Sequence, residues 1–184
     1  MKRRNFLKTA ASSFSFALSQ PIVLADEPTG FPIKDPRVVL AGDDIESQNR
    51  SLGFSRISFK ISTQETDGNF FLFEHSNLLP GGPPLHLHYK QEEWFYVIEG
   101  EVLVQIGEKR FQLKPGDSLL APRKVPHTFA AVGATPAKMH VGYSPADKIE
   151  EFFRILANGK PPAWDAAFFR KYNCELLGPP LKIT

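Results

Sequence analysis

The short apolar runs between Phe54 and Tyr143 constrain the fold of this chain more than any other feature. Runs of Phe, Val, Ile and Leu are separated at close intervals by Gly, Pro and Asp, and they show no helical periodicity. Many short strands joined by turns are typical of an all-β sandwich or barrel. The clearest run alternates, and one of its faces would carry Val102, Val104 and Ile106. We therefore predict an all-β domain, a sandwich or a barrel, over residues 51–143.

The segments on either side of this domain have a different character. Residues 26–50 are rich in Pro, Asp and Gly, and we predict an extended N-terminal arm with at most one strand, at Val38–Leu40. Residues 144–184 are predicted to be a helical segment that begins with a cap at Ser144-Pro-Ala-Asp147. Two apolar stripes at helical spacing follow, namely Ile149, Phe152, Phe153 and Leu156, and then Trp164, Phe168 and Tyr172. We expect a pair of short helices packed against the outside of the sheet.

The first 25 residues have the layout of an export signal. A basic start is followed by an uncharged stretch from Thr9 to Ala25, which is too short and too polar for a stable membrane anchor. The sequence Arg3-Arg4-Asn-Phe-Leu-Lys8 resembles the twin-arginine signal, although Lys2 stands where Ser or Thr is usual. The resemblance implies export in the folded state to the periplasm or beyond the cell. A general secretory signal is the alternative.

The charge of the chain depends on whether this signal is counted. The full chain has 22 Lys and Arg residues against 20 Asp and Glu residues, but four of these bases and none of the acids lie in residues 1–25. The remaining residues are therefore slightly acidic. They contain no basic stripe with interleaved aromatic residues, so we expect no nucleic-acid partner.

The residues that point to chemistry are His86, His88, Glu93 and His127. Side chains two apart on a strand project to the same side, so His86 and His88 can share one metal ion. Glu93 has the same parity as the apolar residues that follow it, which favours it over Glu92. Cys174 is the single cysteine, so a cysteine-rich metal site is excluded. Three His and one Glu suit one divalent transition metal: Fe, Mn, Ni, Co, Cu or Zn.

These residues resemble the two motifs of the cupin family, G-x5-H-x-H-x3-4-E-x6-G and G-x5-P-x-G-x2-H-x3-N. The first matches from His86 to Gly100, and the second matches from Gly116 to His127. The chain departs from them at three positions that are not metal ligands in the family, which are Pro80, Lys124 and Ala131. The resemblance implies a jelly-roll barrel with the metal inside its mouth, and residues 170–181 look like the tail of quercetinase-like single-domain cupins.

What the resemblance implies about function is a metal-dependent dioxygenase acting on a small phenolic or enolic compound. Glu93 would then be a metal ligand, a catalytic base or both in turn, and the partners would be a small-molecule substrate and dioxygen. The alternatives are a small-ligand-binding protein without turnover and a metal-dependent isomerase or decarboxylase. Single-barrel cupins are often homodimers, and residues 26–50 are a candidate contact. Surface or core roles are favoured over metal ligation for His75 and His140, and burial is favoured for Cys174.

Overall fold

The computed structural model describes residues 36–158 and 165–183, which contain eleven strands and two α-helices. The strands are β1 (Arg50–Ser51), β2 (Arg56–Ile61), β3 (Phe71–Leu78), β4 (Pro84–His88), β5 (Glu92–Glu99), β6 (Glu101–Ile106), β7 (Lys109–Leu113), β8 (Ser118–Ala121), β9 (His127–Val132), β10 (Ala137–Ser144) and β11 (Cys174–Pro180). The helices are α1 (Ile149–Leu156) and α2 (Ala166–Lys171), and a short 3-10 turn lies at Thr63–Glu65.

The strands form two antiparallel sheets. One has six strands in the order β1-β2-β3-β10-β5-β8, and the other has five in the order β11-β4-β9-β6-β7. Neighbours such as β3 and β10, or β4 and β9, are distant in sequence. This connectivity is that of a jelly roll, and it confirms the predicted all-β class and small barrel.

The core lies between the two sheets. The alternation in β5 buries Phe95 and Val97, and the predicted alternation in β6 buries Val102 and Val104, all with no exposed surface. The rings of Phe95 and Phe129 join the sheets, with centroids 5.7 Å apart. Each such apolar side chain stabilises the fold by roughly 1.5–3 kcal/mol when fully buried.

Two short C-terminal helices are present as predicted, but their aromatic side chains reach into the barrel and do not lie on the outer face of a sheet. Phe153 of α1 packs on Phe73 of β3 with ring centroids 4.6 Å apart. Phe169 of α2 lies 6.0 Å from the ring of His86 on β4. The two helices therefore close one opening of the barrel.

The first helix begins later than the sequence pattern indicates. The predicted cap at Ser144 is wrong because Ser144 is the last residue of β10 and pairs with Glu92. The backbone N–H of Ala146 then donates to the carbonyl oxygen of Gly68, and α1 starts at Ile149. Long-range strand pairing thus overrides the local capping signal.

Two further expectations about the flanking segments fail. Residues 144–184 are not helical throughout, because β11 occupies Cys174–Pro180 and pairs with β4. Its Gly and Pro residues concealed it in the sequence, yet β11 lies at a sheet edge, where proline is tolerated. In the arm, Val38–Leu40 forms no strand, and Val38 and Leu40 are exposed.

Some predictions fall on residues that the structure does not describe. These are the export signal at residues 1–25, the first part of the arm up to residue 35, and Trp164 of the second helical stripe. Within the described ranges, neither α1 nor α2 is long and apolar enough to cross a membrane.

Candidate metal centre

The structure brings together the four residues that the motif spacing singled out. His86 and His88 lie on β4, Glu93 lies near the start of β5, and His127 is the first residue of β9. All four are buried, and one ligand atom from each lies within 4.8 Å of all the others. His86 pairs directly with His127 across β4 and β9. The cluster therefore spans three strands drawn from both sheets.

Glu93 stands at the centre of the cluster. Its Oε2 atom lies 2.8 Å from Nε2 of His127, 3.1 Å from Nε2 of His88 and 3.9 Å from Nε2 of His86. Imidazole nitrogens and carboxylate oxygens bind such metals at about 2.0–2.2 Å, so ligands at right angles lie about 3 Å apart. The spacing and the chemistry of these donors fit one divalent transition metal ion.

Two backbone carbonyl oxygens fix the orientation of His86 and His127. Nδ1 of His86 donates to the carbonyl oxygen of Pro84 at 2.8 Å, and Nδ1 of His127 donates to that of Val125 at 2.8 Å. Because a carbonyl only accepts, each Nδ1 carries a proton, and Nε2 is the nitrogen of each ring that is left to bind a metal. Such outer contacts orient histidine ligands in metal sites.

The third histidine is held by Cys174, a residue for which the sequence indicated only burial. Nδ1 of His88 lies 3.2 Å from the Cys174 sulfur, and that thiol donates in turn to the carbonyl oxygen of Tyr172 at 3.4 Å. Burial raises the pKa of the Cys174 thiol, so it stays protonated. Cys174 is therefore an orienting contact for His88, and β11 is the element that brings it there.

Tyr143 is a second contact that sequence reasoning missed. This buried residue of β10 donates its hydroxyl to Oε1 of Glu93 at 2.9 Å. It pairs with Glu93 in the register of β10 and β5, so the contact follows from long-range strand pairing and not from local spacing. The bond holds Oε1 while Oε2 faces the three imidazoles.

The electrostatics of the cluster favour neutral His86 and His88 beside an ionised Glu93, and His127 is the most basic of the three histidines. Burial, followed by repulsion from the neighbouring histidines, lowers the pKa of His86 to about 3, and burial also lowers the pKa of His88. Burial opposes ionisation of Glu93, but hydrogen bonds with His127 and His88 outweigh it and hold the pKa of Glu93 well below its usual range. Burial lowers the pKa of His127, yet its hydrogen bond to Glu93 raises that pKa by more. Protons should therefore compete with a metal ion mainly at His127.

A glycine lets the ligand strands approach each other. A Cβ atom at Gly82 would lie 1.8 Å from the carbonyl oxygen of Phe129, so only glycine fits where the chain enters β4 beside β9. This close approach precedes the pairing of His86 with His127. The glycine is thus required by the packing of the site's backbone.

The turn before His127 explains one departure from the cupin motif. Lys124 stands where that motif has glycine, and its φ is +65°, in the left-handed region that favours glycine. Its backbone N–H donates to the carbonyl oxygen of His88 at 2.7 Å. The turn therefore keeps a glycine-like conformation and supports a ligand strand, at a cost of roughly 1–2 kcal/mol.

A small cavity adjoins the cluster. Its volume is about 30 Å³, which is room for roughly two water molecules. His86, His88, Glu93 and Tyr143 line one side, and the rest of the lining is His75 together with apolar residues. These apolar residues are Leu52, Phe54, Pro83, Phe129, Phe152, Phe153 and Phe169. Three of these residues belong to α1 and α2, and we call these two helices the helical cap. The helical cap thus completes the wall of the site.

The other candidate residues lie outside the cluster. Glu92 is bonded to Arg123 at the surface, as expected of a solvated rival to Glu93. Nε2 of His140 lies 3.4 Å from a carboxylate oxygen of Glu74, and its side chain is 30% exposed. Among the described residues, the group that can hold a metal is therefore the one built on His86, His88, Glu93 and His127.

Comparison with known proteins agrees with the fold and the motifs. Residues 75–143 match the family model described as "Cupin domain". An uncharacterised protein of Methanocaldococcus jannaschii, MJ1618, is 38% identical over 55 residues, which are 30% of this chain and 44% of that protein. The matched stretch therefore spans less than half of that relative.

Solved structures with similar folds include KdgF from Halomonas sp., with a TM-score of 0.46 and 19% identity over 55% of this chain and 89% of that one. Another is a W96Y oxalate decarboxylase of Bacillus subtilis, with a TM-score of 0.47 and 23% identity over 54% of this chain and 27% of that one. The match over residues 75–143 and the jelly-roll strand order agree with a cupin domain in that part of the chain, and the buried cluster can hold one metal ion.

Proposed function

We propose that this protein is a metal-dependent oxygenase that acts on a small phenolic or enolic compound. The observation that carries the proposal is that a buried cluster of three histidines and one glutamate adjoins a small cavity, which His86, His88 and Glu93 line and which is otherwise mostly apolar. A structural zinc site is usually saturated by four ligands and has no adjoining substrate space, whereas this site adjoins a cavity.

His86, His88, Glu93 and His127 would hold the metal. A divalent transition metal supplies Lewis acidity, which lowers the pKa of a substrate hydroxyl. The residues of the chain then perform the remaining tasks. The three Nδ1 tethers fix the imidazoles, and Tyr143 fixes one oxygen of Glu93.

Glu93 is a carboxylate at the cavity that can accept a proton from the substrate. Its low pKa keeps it ionised at neutral pH, so a lone pair on the carboxylate is available beside the position of the substrate. The apolar lining contributed by Phe129, Phe153 and their neighbours excludes competing water. These two features together suit proton removal from an enol or phenol inside a dry site.

The size of the cavity narrows the substrate. Pockets that bind drug-sized ligands measure about 300–1,000 Å³, whereas this cavity measures about 30 Å³. A flavonol therefore requires the helical cap to move, and a diketone or hydroxyketone of a few carbon atoms requires much less. We infer that the substrate is smaller than a flavonol.

An oxygen electrode tests the proposal. The purified chain is loaded in turn with Fe(II), Mn(II), Co(II), Ni(II) or Cu(II) and mixed with acetylacetone or quercetin. We expect oxygen uptake with acetylacetone and at least one metal, and loss of uptake in the Glu93→Gln variant. No uptake with any metal and either compound would retire the oxygenase proposal. Substrate conversion without oxygen uptake would instead support an isomerase or decarboxylase, and binding without conversion would support a binding protein.

Export is proposed on the signal alone. We propose that the chain reaches the periplasm or the exterior through the twin-arginine route, because Arg3 and Arg4 precede Phe6 and Leu7 in the pattern of that signal. Replacing both arginines by lysine is expected to leave the protein in the cytoplasmic fraction. Unimpaired export of this variant would contradict the twin-arginine assignment.

A further inference from the structure

His75 is a polar group in the cavity wall that does not belong to the metal cluster. It lies on β3, is 2% exposed, and lines the same cavity as His86, His88 and Glu93. Its ring is surrounded by aromatic side chains, with Phe73 at 5.0 Å and Phe129 at 5.5 Å between centroids. The position of this polar ring, among phenylalanines and beside a candidate metal site, points to a function in ligand binding.

One nitrogen of His75 is already engaged and the other is not. Nδ1 lies 2.7 Å from the hydroxyl oxygen of Ser55, which is itself buried. In the described part of the chain, this is the hydrogen bond that His75 makes through its ring. Ser55 therefore fixes the ring, and Nε2 remains available to a molecule in the cavity.

The remaining wall offers no equivalent group. Among the described lining residues, the hydroxyl of Tyr143 is committed to Glu93, and the other residues outside the cluster are apolar. A polar atom of a substrate that points away from the cluster would lose its hydration without compensation unless it met His75. An unpaired buried polar group weakens the binding of the ligand that carries it.

Burial lowers the pKa of His75 to about 3, so the ring is neutral at neutral pH. A neutral imidazole has one N–H donor and one acceptor nitrogen. Because the Ser55 hydroxyl can either donate to Nδ1 or accept from it, Nε2 can take the complementary role toward a ligand. His75 can therefore serve a substrate as donor or acceptor without a buried charge.

We propose that His75 binds the free end of a small substrate whose other end lies at the cluster of His86, His88, Glu93 and His127. The ligand class is a compact molecule or anion with two polar ends, such as a hydroxyketone or the enol of a diketone. This inference rests on the proposed function in that the substrate occupies the same cavity. It assigns the Ser55 and His75 pair a specificity role within that cavity.

Azide binding to the cobalt-loaded full chain tests the proposal. Azide is a linear anion with two polar ends, and its binding at Co(II) is followed by the visible absorption bands of the metal. In His75→Asn, the amide can still reach Ser55 but has no group at the position of Nε2. We expect azide to bind about ten- to a hundredfold more weakly in this variant, since a hydrogen bond to a charged group is lost.

Three further variants make the result specific. His75→Gln places an amide near the position of Nε2 and is expected to bind azide more tightly than His75→Asn does. Ser55→Ala leaves His75 in place but removes its tether, and we expect an affinity loss of about fivefold. His140→Asn, a histidine outside the cavity, is expected to match the wild type. Each variant is first checked for one bound Co(II) per chain and for a wild-type circular dichroism spectrum.

The outcomes separate this inference from the proposed function. Unchanged azide affinity in both His75→Asn and Ser55→Ala, with one Co(II) per chain, would overturn the role of His75 and leave the oxygenase proposal standing. Weakened azide binding in both variants, with no oxygen uptake in the electrode experiment, would support His75 and retire the oxygenase.

Discussion

The polar wall and the aromatic wall of the cavity are built in opposite ways. The polar wall belongs to the metal cluster, from which His86, His88 and Glu93 reach the cavity. The polar groups of that cluster form hydrogen bonds with each other, with backbone carbonyls, with Tyr143 and with Cys174. The facing wall consists largely of aromatic side chains, and Phe152, Phe153 and Phe169 reach it from the two C-terminal helices. The barrel strands thus carry the candidate metal ligands, and the helices contribute aromatic side chains that close the cavity.

The two walls should therefore respond differently to amino-acid substitutions. Removing a polar group leaves another buried polar group unpaired and disturbs the site. Removing an aromatic group leaves a void, which costs stability but does not touch the ligands. Substitutions in one wall should therefore alter metal affinity, and substitutions in the other should alter stability and substrate size.

The largest effect is expected from a substitution in the aromatic wall. Phe153→Ala removes a ring that packs on Phe71, Phe73 and Tyr143. We expect the free energy of unfolding to fall by about 3–5 kcal/mol in urea denaturation, because a buried Phe is truncated. One metal ion per chain should still bind. Phe111→Ala, at a partly exposed position of β7, is the control and should cost far less. Loss of metal from Phe153→Ala would show that the two walls are not separable.

A second test weakens the outer contacts of the polar wall. Tyr143→Phe removes the hydroxyl that holds Glu93, and Cys174→Ala removes the sulfur that accepts from His88. Each variant should bind Co(II) about 10- to 100-fold more weakly, since outer contacts of metal ligands contribute that much. Tyr96→Phe, on the opposite face of β5, should bind as the wild type does. Equal affinities in all four proteins would contradict the orienting role of these contacts.

A third test concerns His75, a titratable group that lies among the aromatic side chains. Because burial holds the pKa of His75 to about 3, while the unfolded chain has the ordinary value of 6.5, the unfolded state binds more protons between these two pH values. Above pH 6.5 this group does not lower the free energy of unfolding, and the free energy falls progressively as the pH decreases from 6.5 toward 3. In the metal-free protein, His75→Gln should reduce the slope of unfolding free energy against pH by up to about 1.4 kcal/mol per pH unit. An unchanged slope would contradict a neutral buried His75, and His140→Gln is the matched control.

The smallest effect contrasts the buried carboxylate with its exposed neighbour. Glu92 differs from Glu93 by one position but lies on the outer face, where it pairs with Arg123. Glu92→Gln should change the unfolding free energy by about 1 kcal/mol or less, since exposed ion pairs contribute little. Co(II) titration should show wild-type affinity. A loss of metal in this variant would mean that the wrong glutamate has been placed in the cluster.

The sequence predicts the parts of this site that depend on local geometry. His86 and His88 share a face because they are two apart on one strand, and the parity of Glu93 with Phe95 places it inside. Tyr143 and Cys174 could not be found in this way. Tyr143 meets Glu93 only through the register of β10 and β5, and Cys174 reaches His88 only because β11 pairs with β4.

The covering of the cavity by the C-terminal helices also could not be predicted from local sequence patterns. The spacing of Phe152 and Phe153 predicts a buried stripe, but it does not say what covers that stripe. The packing of Phe153 on Phe71, Phe73 and Tyr143 is decided by where the barrel leaves an opening, which is a property of the whole fold. The cap signal at Ser144 failed for a related reason, because pairing with Glu92 extends β10 through that residue.

The central claim is that His86, His88, Glu93 and His127 together hold one metal ion. Elemental analysis of the purified chain tests this claim most directly, with His86→Ala and Glu93→Ala as ligand variants and Glu92→Gln as the control. We predict one transition metal ion per chain in the wild type and in Glu92→Gln, and a loss of affinity in the ligand variants beyond the roughly 100-fold that an outer contact contributes. Full metal content in both His86→Ala and Glu93→Ala would contradict the account.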